Sequence, residues 1–75
     1  MSKQTRRKGR YQVDDFSFGD WKGYAYKIQN KLPVVLFIHQ KPVPYPYMVL
    51  SRTSELFFRT YREAQEHFKT IKGDN

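Results

Sequence analysis

The first ten residues of the chain concentrate its positive charge. Lys3, Arg6, Arg7, Lys8 and Arg10 stand there without an acidic residue. Lysine and arginine neutralise phosphate groups regardless of base sequence, and the resulting affinity falls steeply as salt rises. A run of cations without apolar periodicity also favours a disordered segment. We therefore predict a disordered basic arm over residues 1–10, with phosphate groups as its ligands.

The rest of the chain is nearly balanced in charge. The 75 residues contain 14 Lys and Arg against 7 Asp and Glu, so residues 11–75 hold nine cations against seven acids, or +2 beside the +5 of the arm. Basic tails also serve solubility or bind acidic proteins. A membrane partner is not expected, because the arm has no apolar face to insert and no run is long enough to span a bilayer. Nucleic acid is the favoured partner, and a cytoplasmic location is the default expectation.

The chain lacks the residue patterns of an active site. It has no cysteine and two histidines, His39 and His67, whose spacing does not match a metal-binding pair on one helix face. Asp14, Asp15 and Asp20 are better explained as solvated loop acids or partners of the arm than as metal ligands. No glycine-rich phosphate loop is present. We predict a non-enzymatic protein with no catalytic residue, no metal and no cofactor.

Residues 56–73 predict a short strand followed directly by the helix of the fold. Thr60 suits the N-cap position, and Glu63 completes the capping-box pattern. An apolar stripe with helical spacing follows, consisting of Tyr61, Ala64, Phe68 and Ile71. Gly73 after Lys72 is the order expected at a helix C-terminus. A helix this short is marginal alone, so its stripe must pack against the segment before it.

Alternation and apolar runs predict the strands. They are expected near residues 21–30, 34–38, 47–50 and 56–58. Strict alternation in the first strand predicts Tyr24, Tyr26 and Ile28 on one face and Ala25, Lys27 and Gln29 on the other. Asn30-Lys31 is expected to turn, and three prolines within 42–46 predict an extended, unpaired segment. The run 34–38 is apolar on both faces, so its second face must meet the Phe16–Phe18 segment, a second subunit or a ligand. The predicted fold class is α+β, a three- or four-stranded antiparallel sheet with one C-terminal helix packed on one face, in a single domain over residues 11–75.

Basic and aromatic residues of this domain extend the predicted nucleic-acid interface. The basic candidates on or beside the sheet are Lys22, Lys27 and Lys41. Arg59 and Arg62 flank the helix N-terminus, whose dipole favours anions. Aromatic rings can stack on bases, and the candidates are Trp21, Tyr24 and Tyr26. The competing interpretation, that most of these rings form the core, is favoured by the short length of the chain.

Two segments resemble a known group of DNA-binding folds. Residues 21–28 (WKGYAYKI) and 58–64 (FRTYREA) are similar to the strand and strand-to-helix patterns of AP2-like DNA-binding domains and of the arm-type N-terminal domains of phage and transposon integrases. The resemblance implies a three-stranded sheet on one helix, with the sheet reading a DNA groove. Between residues 30 and 54 the chain has an apolar strand and a proline segment where those domains have a short hairpin.

These patterns together predict a small basic nucleic-acid-binding protein, with double-stranded DNA preferred over RNA. The alternative is a protein-interaction module, a phage- or plasmid-type accessory factor that binds a host protein through its aromatic sheet face. A homodimer is compatible with either prediction.

Overall fold

The computed structural model describes residues 12–73, which form a four-stranded antiparallel sheet with one helix. A short 3-10 helix (Val13–Phe16) precedes β1 (Trp21–Gln29), β2 (Leu32–His39), β3 (Tyr47–Leu50), β4 (Glu55–Phe58) and α1 (Tyr61–Thr70). The strand order is β1-β2-β3-β4, so each strand pairs with the next one in sequence. The predicted α+β class is confirmed, with four strands. The basic arm predicted over residues 1–10 lies outside the described residues.

The centre of the fold is β2, which is buried on both faces. Successive side chains of a strand point to opposite faces, so the run Val34–Phe37 supplies two cores. Val34 and Leu36 pack with Val49 of β3 and Ala64 of α1 on the helix face. On the second face lie Val35, Phe37 and Met48. The prediction of a central strand covered on both sides is therefore confirmed.

The helix is held at both ends by side-chain hydrogen bonds. At its start the Glu63 amide donates to the Thr60 hydroxyl at 3.2 Å, as expected for the N-cap. The α1 helix ends at Thr70, earlier than predicted, because Ile71 is already extended at φ −84° and ψ 123°. Gly73 does not form the C-cap. Instead, the Lys27 ammonium donates hydrogen bonds to the carbonyl oxygens of Phe68 and Ile71 at this end of the helix.

The segment before β1 covers part of the second face. Phe16 packs against the cluster of Val35, Phe37 and Met48. Phe18 stands edge-on to Phe37, with ring centroids 5.4 Å apart. Of the three occupants expected for this face, the structure shows the Phe16–Phe18 segment.

Two features fix that segment against β1. The Gly23 amide donates to the Ser17 hydroxyl at 2.9 Å. A Cβ atom at Gly23 would collide with the Val13 carbonyl oxygen, so glycine permits the close approach. The chain enters the domain beside the outer edge of β1.

The β1–β2 hairpin turns through Asn30 and Lys31, as predicted. Both have positive φ, at 52° and 68°. A two-residue hairpin of this kind requires positive φ at both central residues, which favours asparagine followed by glycine. Lysine at the second position therefore carries backbone strain.

Leu36→Ala is expected to lower the free energy of unfolding by roughly 2–5 kcal/mol, because it empties a side-chain site between sheet and helix. Leu36 is 1% exposed, whereas Leu32 of the same strand is 43% exposed. Leu32→Ala is thus the matched control and should cost at most about 1 kcal/mol. Urea denaturation of both variants measures the difference. Equal losses would contradict the central position of Leu36.

Lys31→Gly is expected to raise the free energy of unfolding by about 0.5 kcal/mol. Glycine adopts positive φ without strain, but it also increases the conformational entropy of the unfolded chain, which offsets part of the stabilisation. Asn30→Gly is the control and should change stability less, because asparagine tolerates this conformation. Both are measured by denaturant titration. A loss for Lys31→Gly would mean that the lysine side chain contributes more than its backbone costs.

Candidate nucleic-acid interface

Four of the five basic residues predicted in the domain lie at one end of the sheet. Lys22 is near the start of β1, Lys41 follows β2, Arg59 follows β4 and Arg62 is in the first turn of α1. The register pairs the start of β1 with the end of β2 and the start of β3 with the end of β4, so these positions share an end. We call it the loop end, because the proline-containing loop 40–46 lies there.

Carboxylates accompany the cations of the loop end. Lys22 Nζ lies 3.7 Å from Asp14 Oδ1, and Lys41 Nζ lies 3.8 Å from Asp20 Oδ2. Arg62 Nε is 3.5 Å from Glu66 Oε2, one helical turn away. Such exposed pairs contribute little to stability, so they do not lock the cations in place. They do cancel much of the positive field that would attract a phosphate group.

Arg59 has an aromatic partner. Its guanidinium carbon lies 5.7 Å from the centre of the Tyr45 ring. Tyr45 belongs to the loop between β2 and β3 and is about half exposed. Arg59 thus bridges the end of β4 and this loop. Its predicted phosphate contact remains a prediction.

Lys27 lies apart from the other four and has an internal role. Its ammonium donates to the carbonyl oxygens of Phe68 at 2.7 Å and Ile71 at 2.8 Å, and lies 4.3 Å from the centre of the Phe68 ring. The last carbonyls of a helix lack intrahelical donors, and a lysine can supply them. Burial lowers the pKa of Lys27. The structure thus gives this ammonium a capping function, and its phosphate contact remains a prediction.

The three predicted stacking residues do not share a face. Trp21 lies edge-on to His39 at 4.6 Å between ring centroids, and Tyr26 lies 5.4 Å from Phe16, both on the second face. Tyr24 instead lies against Tyr61 of α1, with centroids 5.4 Å apart. The pKa of Tyr61 is raised, mainly by a side-chain hydrogen bond with Tyr24 and to a smaller extent by desolvation.

A β-bulge explains the split. The register between β1 and β2 shifts from Gly23 to Ala25, so Tyr24 is an extra residue in β1. The expected strict alternation, with Tyr24 and Tyr26 on one face, is therefore wrong. A single stacking platform of Trp21, Tyr24 and Tyr26 is not formed, although base stacking by each ring remains a prediction.

The opposite end of the sheet, which we call the turn end, has a different charge balance. The β1–β2 and β3–β4 turns both lie there, and the bonds from Lys27 bring the end of α1 to the same level. Its cations are Lys27, Lys31, Arg52, Lys69 and Lys72. Among residues 12–73, Glu55 is the one carboxylate at this end, and Asp74 follows outside the described residues.

Three of the turn-end cations are exposed and have no internal carboxylate partner. Within residues 12–73, no ion pair involves Arg52, Lys69 or Lys72. Sequence reasoning omitted these residues from the site. The signal was nevertheless present: in a meander, alternate turns lie at the same end, and a helix that leaves the last strand returns to that end. The cations in the β1–β2 turn, in the β3–β4 turn and at the end of α1 are therefore expected at one end of the sheet.

These observations define the molecule as a small α+β domain with a segregated basic end. Comparison of the chain with protein-family models, with curated proteins and with solved structures gives no match in any of the three. The resemblance to AP2-like and integrase arm-type domains therefore remains a prediction. Across the described part of the chain, no cluster of three potential metal ligands occurs, and none of its helices has the length and apolar character needed to cross a membrane.

Lys27→Met is expected to lower the free energy of unfolding by about 1–3 kcal/mol, because two carbonyl groups lose a charged donor. Lys22→Met is the matched control on the same strand. Its exposed ion pair should contribute no more than about 0.5 kcal/mol. Urea denaturation measures both values. Similar small losses would show that the two carbonyl groups are satisfied without Lys27.

Proposed function

We propose that this protein binds nucleic acid without catalysing a reaction, with duplex DNA as the ligand. The basic arm and the turn end supply the contacts. One observation supports this most directly, which is the separation of charge across the domain. The turn end holds five of the nine cations in residues 12–73 beside one carboxylate, whereas the loop end holds four cations among the other five carboxylates.

The separation matters because phosphate binding depends on the local field. Cations that are not neutralised by neighbouring carboxylates attract phosphate groups and release their condensed counterions. Arg52, Lys69 and Lys72 meet this condition within the described residues. At the loop end, Lys22, Lys41 and Arg62 must exchange an existing carboxylate partner for the phosphate, so their net gain is smaller. The turn end is therefore the better phosphate-binding surface.

The described chain begins beside the strand that also contacts the end of α1. Val13 packs against Gly23 near the loop-end start of β1, and Gly73 lies close to the backbone of Ile28 near the turn end of the same strand. The basic residues 1–10 precede Val13 in the sequence, and Lys69 and Lys72 are at the turn end. A single duplex that lies along β1 is the proposed partner of both groups.

The test is binding of a fluorescently labelled duplex over a salt series. Each phosphate contact contributes about −0.9 to the slope of log affinity against log salt. The turn-end variant Arg52→Gln/Lys69→Gln/Lys72→Gln should flatten the slope by about two to three units. The matched loop-end variant Lys22→Gln/Lys41→Gln/Arg62→Gln removes the same charge and should change it by less than about one unit. Lys31 is left intact because its substitution alters turn stability.

Deletion of residues 1–10 separates the arm from the domain. It should flatten the slope by roughly three to five units, with far-ultraviolet circular dichroism unchanged. Equal effects of the two triple variants would overturn the assignment of the turn end. Preference for RNA over duplex DNA would replace the proposed ligand. Failure of the full-length protein to bind either nucleic acid at low salt would reject the function.

A second candidate function is a protein-interaction module. It is supported by large apolar side chains that remain exposed beside β4, namely Val43, Tyr45, Leu56 and Phe57. All four of these side chains line one groove beside β4. Binding to neither nucleic acid at low salt would favour this candidate.

A further inference from the structure

The two edges of the sheet are protected unequally. Along β1, Phe18 pairs with Trp21, Ser17 holds Gly23, and a bulge at Tyr24 interrupts the ladder. The other edge is β4, and no strand within residues 12–73 pairs with its outer side. Natural edge strands usually carry lysine, proline or a bulge that prevents pairing with another chain. Over Glu55–Phe58, β4 contains one charged residue, Glu55, but neither lysine nor proline, and it keeps a regular register with β3.

Apolar side chains flank this edge on both faces of the sheet. Leu56 is 39% exposed and Phe57 is 46% exposed. A groove of about 560 Å³ lies beside Phe57, between β4 and the exposed loop residues Val43 and Tyr45, and Trp21 also lines it. Grouped apolar exposure of this kind is typical of an interaction surface.

The pairing with β3 assigns the β4 side chains to their faces. Leu56 lies opposite Val49, which belongs to the core on the helix face, and Phe58 packs against the same core. Phe57 lies opposite Met48, which belongs to the core on the second face. Glu55 shares the face of Phe57, since successive residues alternate. Arg59 follows directly at the end of the strand.

We infer that β4 pairs antiparallel with β4 of a second copy of this chain, about a two-fold axis at Phe57. The two four-stranded sheets then form one continuous sheet of eight strands. With Phe57 on the axis, a residue before Phe57 in one copy lies opposite the residue equally far after Phe57 in the other copy. Glu55 therefore faces Arg59 of the second copy, and Leu56 faces Phe58 of the second copy. The contact is isologous, so each pair occurs twice.

Charge complementarity selects this register. An antiparallel two-fold pairing must place side chains of the same face opposite each other, so the axis passes through a residue. An axis at Leu56 would place Glu55 opposite Phe57, and an axis at Phe58 would place Arg59 opposite Phe57. The axis at Phe57 alone pairs acid with base and apolar with apolar, and opposed pairs of these kinds stabilise a sheet.

Both charged residues are available for this pairing. Neither Glu55 nor Arg59 belongs to an ion pair within residues 12–73. Tyr45, which lies under Arg59, lines grooves on both faces of the same edge. The second copy would cover these grooves together with Leu56 and Phe57. Because no nucleic acid takes part in the contact, the inference stands independently of the proposed function.

The test is the molar mass of the full-length chain by sedimentation equilibrium over a concentration series, without nucleic acid. The parent protein is expected to be a dimer. Glu55→Arg and Arg59→Glu each place like charges opposite each other, and each should weaken dimerisation by on the order of tenfold or more. The double variant Glu55→Arg/Arg59→Glu restores two opposite-charge pairs and should dimerise again. Lys72→Glu, an exposed reversal beside β1, is the control and should leave the dimer intact.

Mixing the two single variants provides the sharpest measurement. In their heterodimer, the Glu55→Arg copy carries arginine at both positions 55 and 59, and the Arg59→Glu copy carries glutamate at both. Each arginine therefore faces a glutamate, so both pairs are attractive. The mixture should therefore form dimers that neither variant forms alone, and a purely structural effect of either substitution would not produce this. Circular dichroism confirms that each variant is folded. A monomeric parent protein overturns the inference. A dimer that is indifferent to all of these reversals likewise overturns it.

Discussion

The burial of β2 on both faces is the constraint on which the rest of the structure depends. A strand with apolar side chains on each side creates two cores, and each core needs its own cover. The helix covers one through Ala64, and the segment around Phe16 covers part of the other. In a chain of this size a single helix cannot do both. The small 3-10 helix and the aromatic residues around it are therefore part of the fold and not an appendage.

Most of the architecture was predictable because each element carries a local signal. The apolar run at residues 34–38 indicated a two-sided strand, and Thr60 with the stripe that follows indicated the start and face of the helix. The end of the helix was not predictable from Gly73, because Lys27 caps it from a distant part of the sequence. A tertiary hydrogen bond of this kind leaves no trace in local spacing.

The candidate site was harder to predict than the fold for a similar reason. A charge has no periodicity, so its neighbours depend on the register and on the side of the sheet where each turn falls. Lys22 and Lys41 were plausible in sequence but lie beside Asp14 and Asp20. The extra residue Tyr24 also separated aromatic side chains that strict alternation would have joined. Neither the ion pairs nor the position of Tyr24 was predictable from local spacing, because both depend on how the strands pair.

The absence of a side chain at Gly23 has a mechanical consequence. The Val13 carbonyl rests where a Cβ would be, and the same short segment places Phe16 in the second core. The cationic residues are covalently joined to this segment a few residues upstream. A pulling force on them acts on the contact of Val13 with Gly23 and on the Asp14–Lys22 ion pair before it reaches Phe16 and the Ser17–Gly23 hydrogen bond. Gly23 therefore lies where tension on the N-terminal residues first acts on the domain.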